Sequence, residues 1–131
     1  MSGDPELYRA QANAVYERVG SQLRALLKAV ARDLDPFPPF PGALFTLGIE
    51  VEGDDIDAGR GCVILGEDGE LYELQLGVDV NALAAGAHEP ALAREENRVA
   101  LEDLSPSEYL SYAQRALGAA LVELERRPTK A

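Results

Sequence analysis

The spacing of hydrophobic residues over the first third of the chain predicts one long helix. Between residues 7 and 34, apolar side chains recur every three or four positions, which places them along one side of a helix. Asp4 is a suitable N-cap and Pro5 fits the first helical position, so the helix is expected to begin there. It cannot continue past Asp35, because a residue that precedes proline disfavours helical geometry. Gly20 is its only weak position and costs about 1 kcal/mol relative to alanine.

The helix is followed by the proline-rich stretch DLDPFPPFPG, residues 33–42. Its prolines favour an extended and stiff backbone. Phe37 and Phe40 are each worth roughly 1.5–3 kcal/mol when buried, so both are expensive to leave in water. Ligands of SH3-type domains usually carry a basic flanking residue, whereas the near flanks here are Asp33 and Asp35. We therefore expect a rigid corner whose rings pack on the end of the core, with a docking motif as the alternative.

After Gly42 the hydrophobic period changes to two, which indicates β-strands. The segments predicted as strands are residues 43–52, 61–65 and 70–78. The first is expected to be half-buried, with one face formed by Phe45, Leu47, Ile49 and Val51. Asp68-Gly69, between the other two, is a strong hairpin signal because glycine tolerates positive φ. Three antiparallel strands with one apolar face need a cover, and amphipathic helices supply it.

The C-terminal part predicts a second helix after a segment that the pattern leaves open. Within residues 79–104, a short helical turn is followed by a stretch that fits either a helix or a fourth strand. The capping-box pattern from Ser105 to Glu108 then begins the second helix. The chain is thus predicted as a single α+β domain over residues 1–131, with two layers. These are a long N-terminal helix, an antiparallel sheet of three or four strands, and a C-terminal helix packed on one sheet face.

The charge balance restricts the kinds of partner. The chain has 23 acidic and 12 basic residues, which gives a formal net charge of -11. This argues against nucleic acid and against an anionic membrane surface, because binding to both relies on clustered lysine and arginine. A basic protein partner or a cation is compatible with it, although an acidic surface also simply keeps a protein soluble. The sequence has one cysteine, no signal-peptide pattern and no membrane-spanning run, so the cytoplasm is the expected compartment.

No residue pattern indicates a catalytic set. The only histidine, His88, lies in a segment of uncertain structure, and the only thiol, Cys62, lies in an apolar strand where we expect it to be inert. No serine lies in a G-x-S-x-G turn. A zinc site built from one histidine, one cysteine and carboxylates would be unusual. We therefore predict no catalytic residue, no metal and no cofactor.

The candidate binding residues lie in and beside an acidic loop between the first two predicted strands. They are Glu50, Glu52, Asp54, Asp55, Asp57 and Arg60. The loop does not match a calcium loop, because Gly59 and Gly66 stand where oxygen-bearing side chains are needed. We interpret it as a solvated turn that presents negative charge, with a loose cation site as the alternative.

Two functional hypotheses of different classes follow. The first is a non-enzymatic interaction or adaptor protein that presents its acidic surface to a basic protein segment. The alternative is a small-molecule-binding or enzymatic domain with a pocket between the helices and the sheet, using scattered carboxylates, Tyr72 and Arg60. The order helix, three strands, helix in a small acidic chain resembles that of dimeric secretion chaperones. No residue motif accompanies this order, so nothing about activity is carried over.

The length of the first helix predicts a homodimer. From Pro5 to Leu34 it would measure about 45 Å, whereas a compact domain of this size is roughly 36 Å across. Three strands of ordinary length cover about 20 Å of the helix. Because apolar positions run along nearly its whole length, a symmetric partner is expected to cover the remainder. A kink at Gly20 is the monomeric alternative.

Overall fold

A computed structural model describes residues 3–41, 43, 45–51, 62–78 and 94–127 of the protein. Its elements are, in chain order, α1 (Pro5–Asp33), β1 (Ile49–Glu50), β2 (Cys62–Leu65), β3 (Leu71–Val78), β4 (Arg94–Ala100) and α2 (Pro106–Arg126). The predicted α+β fold is confirmed. The stretch that fitted either a helix or a strand contains a fourth strand, β4.

Helix α1 begins and ends where its sequence predicts and is continuous through Gly20. The Asp4 carboxylate accepts a hydrogen bond from the backbone N–H of Glu6 at 3.0 Å, so Asp4 is the N-cap. At the other end, the N–H of Leu34 donates to the carbonyl of Val30 at 3.1 Å and closes the last turn. All 29 residues of α1 are helical, so the helix is unbroken at Gly20.

The four strands form one antiparallel sheet in the order β1-β2-β3-β4. Strands β2 and β3 form the predicted hairpin, with Leu65 paired to Leu71 next to the turn. Gly69 in that turn has a φ of 81°, a conformation that other residues rarely adopt. Strand β4 pairs with β3 over its entire length. The hairpin of β2 and β3 is therefore the centre of the sheet.

The first predicted strand is much shorter than its hydrophobic alternation indicates. Only Ile49–Glu50 is a strand, and Phe45, expected in the core, is 76% exposed. The reason is that residues 45–48 lie against residues 38–41, with the N–H of Phe40 donating to the carbonyl of Thr46 at 3.0 Å. We call residues 38–41, 43 and 45–48 the proline hairpin. The N–H groups of Phe40 and Gly48 donate to Thr46 and Pro38 rather than to a strand of the sheet, so the strand prediction was wrong over residues 43 and 45–48.

The two helices cover one face of the sheet and supply the main core. Helix α2 starts at the predicted capping box, in which Ser105 Oγ accepts from the N–H of Glu108 at 3.2 Å. The alanines Ala113, Ala116 and Ala120 of α2 are fully buried, so a neighbouring helix can approach closely. These alanines belong to the main core cluster, whose other buried residues are Leu27, Val30, Ala31, Leu34, Phe37, Val51, Val63, Leu65, Leu71 and Tyr112.

The opposite face of the sheet is also apolar, and Phe40 of the proline hairpin packs on it. Phe40 forms a second buried cluster there with Ile64 and Leu74. The prediction of a single apolar face was therefore wrong, because the sheet is covered on both sides. The predicted packing of the two rings is confirmed, since Phe37 is 7% and Phe40 is 8% exposed.

Helix α2 lies beside only the second half of α1. Its first turn packs next to Gly20, and just past its end Arg127 Nη2 donates to the carbonyl of Pro36 at 2.6 Å. The two helices therefore run parallel, and α1 extends beyond the start of α2. We call residues 5–19 the projecting half of α1 and residues 20–33 the packed half.

The projecting half carries apolar side chains that the described part of the chain leaves uncovered. None of its residues is buried, and the exposed fraction is 59% for Tyr8, 50% for Val15 and 39% for Val19. The helical spacing places Tyr8 and Tyr16 toward the core, and for both residues this prediction is wrong. The homodimer inferred from the same stretch stays a prediction.

Candidate binding groove

A groove of about 550 Å³ lies where four elements meet: the middle of α1, the start of β3, the end of β4 and the first turn of α2. The polar and aromatic residues that line it include Tyr16, Glu17, Arg24, Glu70, Glu102 and Tyr109. The protein thus has a groove between its helices and its sheet.

The local structure of each element explains why these residues converge. Tyr16, Gly20 and Arg24 are four residues apart, so they lie on one face of α1. Gly20 leaves room for the ring of Tyr109, whose nearest carbon is 3.5 Å from the place of a Cβ. Glu70 directly follows the turn between β2 and β3, which brings its carboxylate toward α1.

Arg24 is held in the groove by an aromatic ring and a carboxylate. Its guanidinium lies 4.7 Å from the centroid of the Tyr109 ring, and its Nε lies 3.7 Å from Glu70 Oε2. Lys28 Nζ lies 3.4 Å from the other oxygen of Glu70. Burial raises the pKa of Tyr109, and Arg24 lowers it by less. The phenol therefore stays protonated at neutral pH.

Two further carboxylates of the groove, those of Glu17 and Glu102, have no ion-pair partner among the described residues. Arg24, the one basic side chain among the described lining residues, pairs with Glu70 instead. The ring of Tyr16, on the same face of the groove, is 37% exposed. The groove therefore combines unneutralised negative charge with an accessible aromatic ring.

A second group of charged and aromatic side chains, at the β2–β3 turn, is closed on itself. Arg98 on β4 donates to both carboxylate oxygens of Glu67, at 2.7 and 3.0 Å. Its guanidinium lies 4.1 Å from the centroid of the Tyr72 ring, and the Tyr72 hydroxyl donates to Asp68. Each of these four side chains has a partner within the group. The group therefore ties β4 to the hairpin of β2 and β3.

Three members of this group, Glu67, Tyr72 and Arg98, keep one protonation state around neutral pH. The hydrogen bond from Arg98 lowers the pKa of Glu67, and the same bond raises the pKa of Arg98. Burial, followed by the hydrogen bond to Asp68, raises the pKa of Tyr72 to about 12. General acid–base catalysis works best with a pKa near the operating pH, and these three shifts all move away from neutrality. These contacts are therefore better explained as stabilising the packing of β4 on the hairpin than as a catalytic site.

Of the predicted binding residues, only Glu50 lies in the described part of the chain. It is exposed on β1, does not line the groove, and accepts a weak hydrogen bond from Cys62 Sγ at 3.8 Å. The other five predicted binding residues lie outside the described ranges: Glu52, Asp54, Asp55, Asp57 and Arg60. The single histidine, His88, also lies outside them. The acidic loop thus stays a prediction. Cys62, at the start of β2, is half-buried, and its Sγ contacts the exposed Glu50.

The sequence did not single out the residues that form the groove. Tyr72, named for a pocket in the alternative hypothesis, borders the groove, but its ring packs on the other face of the sheet with Ile64 and Leu74. The spacing of Tyr16 and Arg24 around Gly20 was the one available signal, because a small residue between an aromatic and a basic residue leaves a gap on one helix face.

Within the described ranges, no group of three His, Cys, Asp or Glu side chains is close enough to hold a metal ion. Neither α1 nor α2 is long and apolar enough to cross a membrane. Comparison with known proteins gave no match: no family model fits the chain, and no curated protein or solved structure is significantly similar to it. The function is therefore inferred from the geometry and charge of the groove.

Proposed function

We propose that this protein is a non-enzymatic interaction protein that binds a basic segment of another protein in the groove. The observation that carries this proposal is the pair of lining carboxylates Glu17 and Glu102, which have no ion-pair partner among the described residues. The third lining carboxylate, Glu70, is already held by Arg24 and Lys28. The whole chain has the same sign, with a net charge of -11. An acidic groove on an acidic protein attracts cationic partners from about one Debye length, roughly 8–10 Å in physiological salt.

A lysine or arginine side chain of the partner can make two kinds of contact in the groove. It can form charge-assisted hydrogen bonds with the carboxylates of Glu17 and Glu102. It can also lie over the exposed ring of Tyr16, where the negative face of an aromatic ring attracts a cation. Arg24 already makes the same contact on Tyr109 within the protein. The groove therefore contains one such cation–ring pair and the groups for a second.

The size of the groove limits what it can take. A volume of about 550 Å³ accommodates a few side chains of an extended segment rather than a folded domain. The same volume falls within the roughly 300–1,000 Å³ that is typical of small-molecule sites. It supports a cationic small molecule as the second candidate. A basic segment and a cationic small molecule would use the same carboxylates. Only the segment would also make contacts outside the groove that add to its affinity.

Fluorescence anisotropy with a short, labelled Lys/Arg-rich peptide tests the proposal. We expect saturable binding that weakens as salt is added, because the attraction between charges is screened. Combining Glu17→Gln with Glu102→Gln should weaken binding by roughly tenfold or more, since two charge-assisted contacts are lost.

The matched control combines Asp33→Asn with Glu125→Gln. Both of these residues are exposed and lie outside the groove, so the control removes the same charge elsewhere. Equal weakening by the two pairs would show that the peptide follows net charge alone and would contradict a groove site. A melting shift with a polyamine, without any binding of the peptide, would favour the small-molecule candidate.

A further inference from the structure

A second surface of α1, separate from the groove, has the spacing of a seam between two helices. Its residues are separated alternately by four and three positions: Tyr8, Ala12, Val15, Val19, Gln22 and Leu26. This alternation is the heptad spacing by which paired helices bury apolar side chains against each other. We call these six residues the α1 seam.

The α1 seam lies beside the core stripe of α1 and points away from the groove. At 3.6 residues per turn, its exposed apolar members point within about 40° of one another. The core residues Val30 and Leu27 point about 40° and 100° away from Tyr8 and Leu26, and the groove residue Arg24 points about 160° away. A partner on the seam would therefore leave the groove open.

The apolar area of the seam matches what a stable dimer needs. Four of its side chains, Tyr8, Val15, Val19 and Leu26, are between 39% and 59% exposed. For side chains of this size, such exposure leaves roughly 350 Å² uncovered in one copy and roughly 700 Å² in two. A specific interface buries at least about 1,200 Å² in total, of which about 60% is apolar. The two seams together thus supply about the apolar area of an interface at the lower end of that range.

We propose that a second copy of the chain occupies the α1 seam, with the two α1 helices antiparallel about a twofold axis. In this arrangement each seam residue faces one that is equally far on the other side of position 17, as a twofold axis requires. The facing residues of the two copies are Tyr8 with Leu26, Ala12 with Gln22, and Val15 with Val19. The small Ala12 leaves space for the longer Gln22.

The antiparallel direction also covers the projecting half, which the described part of the chain leaves exposed. Each projecting half then lies along the packed half of the other copy. Helix α2 packs on that half at Gly20, which points about 120° away from Tyr8, so the seam side stays open. Both copies carry a net charge of -11, so added salt reduces their repulsion and strengthens the dimer. Salt has the opposite effect on the basic peptide, which keeps the two proposals separable.

Light scattering at micromolar concentration tests the seam. We expect twice the mass of one chain for the natural sequence and the mass of one chain for Val15→Glu combined with Val19→Glu. The control is Leu121→Glu combined with Val122→Glu, which places the same charge on exposed apolar residues of α2 and should stay dimeric. A monomeric natural protein, or a seam variant that stays dimeric, would overturn the proposal.

Disulfide trapping tests the direction of the helices without placing charge in the seam. In a Cys62→Ser background, Tyr8→Cys and Leu26→Cys variants are refolded together and oxidised. We expect cross-linked dimers in the mixture and none with either variant alone, because the two copies of position 8 lie about 27 Å apart along antiparallel helices. Cross-linking by Tyr8→Cys alone would show parallel helices and overturn the antiparallel register. The absence of any cross-link would overturn the seam.

Discussion

The two halves of α1 belong to one continuous helix with one apolar period, yet their surroundings differ. In the packed half, Leu27 and Val30 are buried in the core under α2. In the projecting half, Tyr8 and Val15 have the same helical spacing and are at least half exposed. The difference arises because α2 is shorter than α1 and starts only beside Gly20.

This contrast shows that an apolar period identifies residues that need burial without showing what buries them. Two stripes run along α1: a core stripe through Leu23, Leu27 and Leu34, and the α1 seam beside it. In the sequence they merge into one broad apolar side. We expect the stability of the single chain to depend on the core stripe and the corner after it, and association to depend on the α1 seam.

The largest effect is expected at the corner that follows the packed half. Phe37 belongs to the same buried cluster as Leu27. Phe37→Ala should lower the free energy of unfolding by about 3–5 kcal/mol, because it removes a large buried side chain and leaves a cavity. Phe45→Ala is the matched control, since its ring is 76% exposed, and should change stability by no more than about 0.5 kcal/mol. Urea unfolding measures both, and equal losses would show that the ring of Phe37 does not hold the corner.

A comparison of Leu27→Ala with Val15→Ala tests the two halves directly. Leu27 is fully buried, so Leu27→Ala should cost about 2–5 kcal/mol, and this loss should be the same at low and high protein concentration. Val15→Ala should destabilise the protein mainly at high concentration, because association stabilises a folded chain by mass action. Unfolding midpoints over a range of concentrations measure both effects. A concentration-independent loss for Val15→Ala would place that side chain in the core instead.

Much of the fold could be predicted because several local signals agree with the final environment. Asp4 and Ser105 cap the two helices as their sequences indicate, and Gly69 adopts the positive φ that its hairpin requires. In each case the feature depends on residues within a few positions along the chain. Such features are visible before any tertiary contact is known.

The failures occur where distant residues decide the structure. The alternation of apolar residues around Phe45 indicated a strand. In the structure, the N–H of Phe45 donates to Glu96 Oε1 at 2.9 Å, and the hydroxyl of Thr46 donates to the same oxygen at 2.8 Å. The groove has the same origin. Tyr16 and Glu102 meet there only because α1, the sheet and α2 pack in one particular order, and no spacing in the sequence encodes that order.

The boundary between the two halves of α1 offers a stabilising change. Gly20→Ala should raise the free energy of unfolding by about 0.5–1 kcal/mol, because alanine favours a helix more than glycine does. The added Cβ would lie 3.5 Å from the Tyr109 ring, which is an ordinary contact. Gly69→Ala is the opposite control, since its φ is 81° and its Cβ would lie 2.7 Å from Lys28 Cα. Thermal unfolding measures both, and a loss at Gly20 would show that the Tyr109 ring tolerates no side chain there.

The smallest effect is expected away from α1, at the ion pair of Glu67 with Arg98, where charge rather than packing is tested. The hydrogen bond from Arg98 lowers the pKa of Glu67. The pair therefore stabilises the folded state above the unfolded pKa of about 4.3, and this contribution is lost as the pH falls through the lowered folded value. Glu67→Gln should reduce the free energy of unfolding by about 0.2–1 kcal/mol at neutral pH. It should leave the free energy of unfolding unchanged in strong acid. Glu125→Gln on α2 removes the same charge from a side chain without an ion pair among the described residues and serves as the control. Urea unfolding across this pH range measures the difference. A loss that persists in strong acid would mean that Glu67 acts through its shape in the turn, and a loss as large as that of Leu27→Ala would remove the contrast between packing and charge.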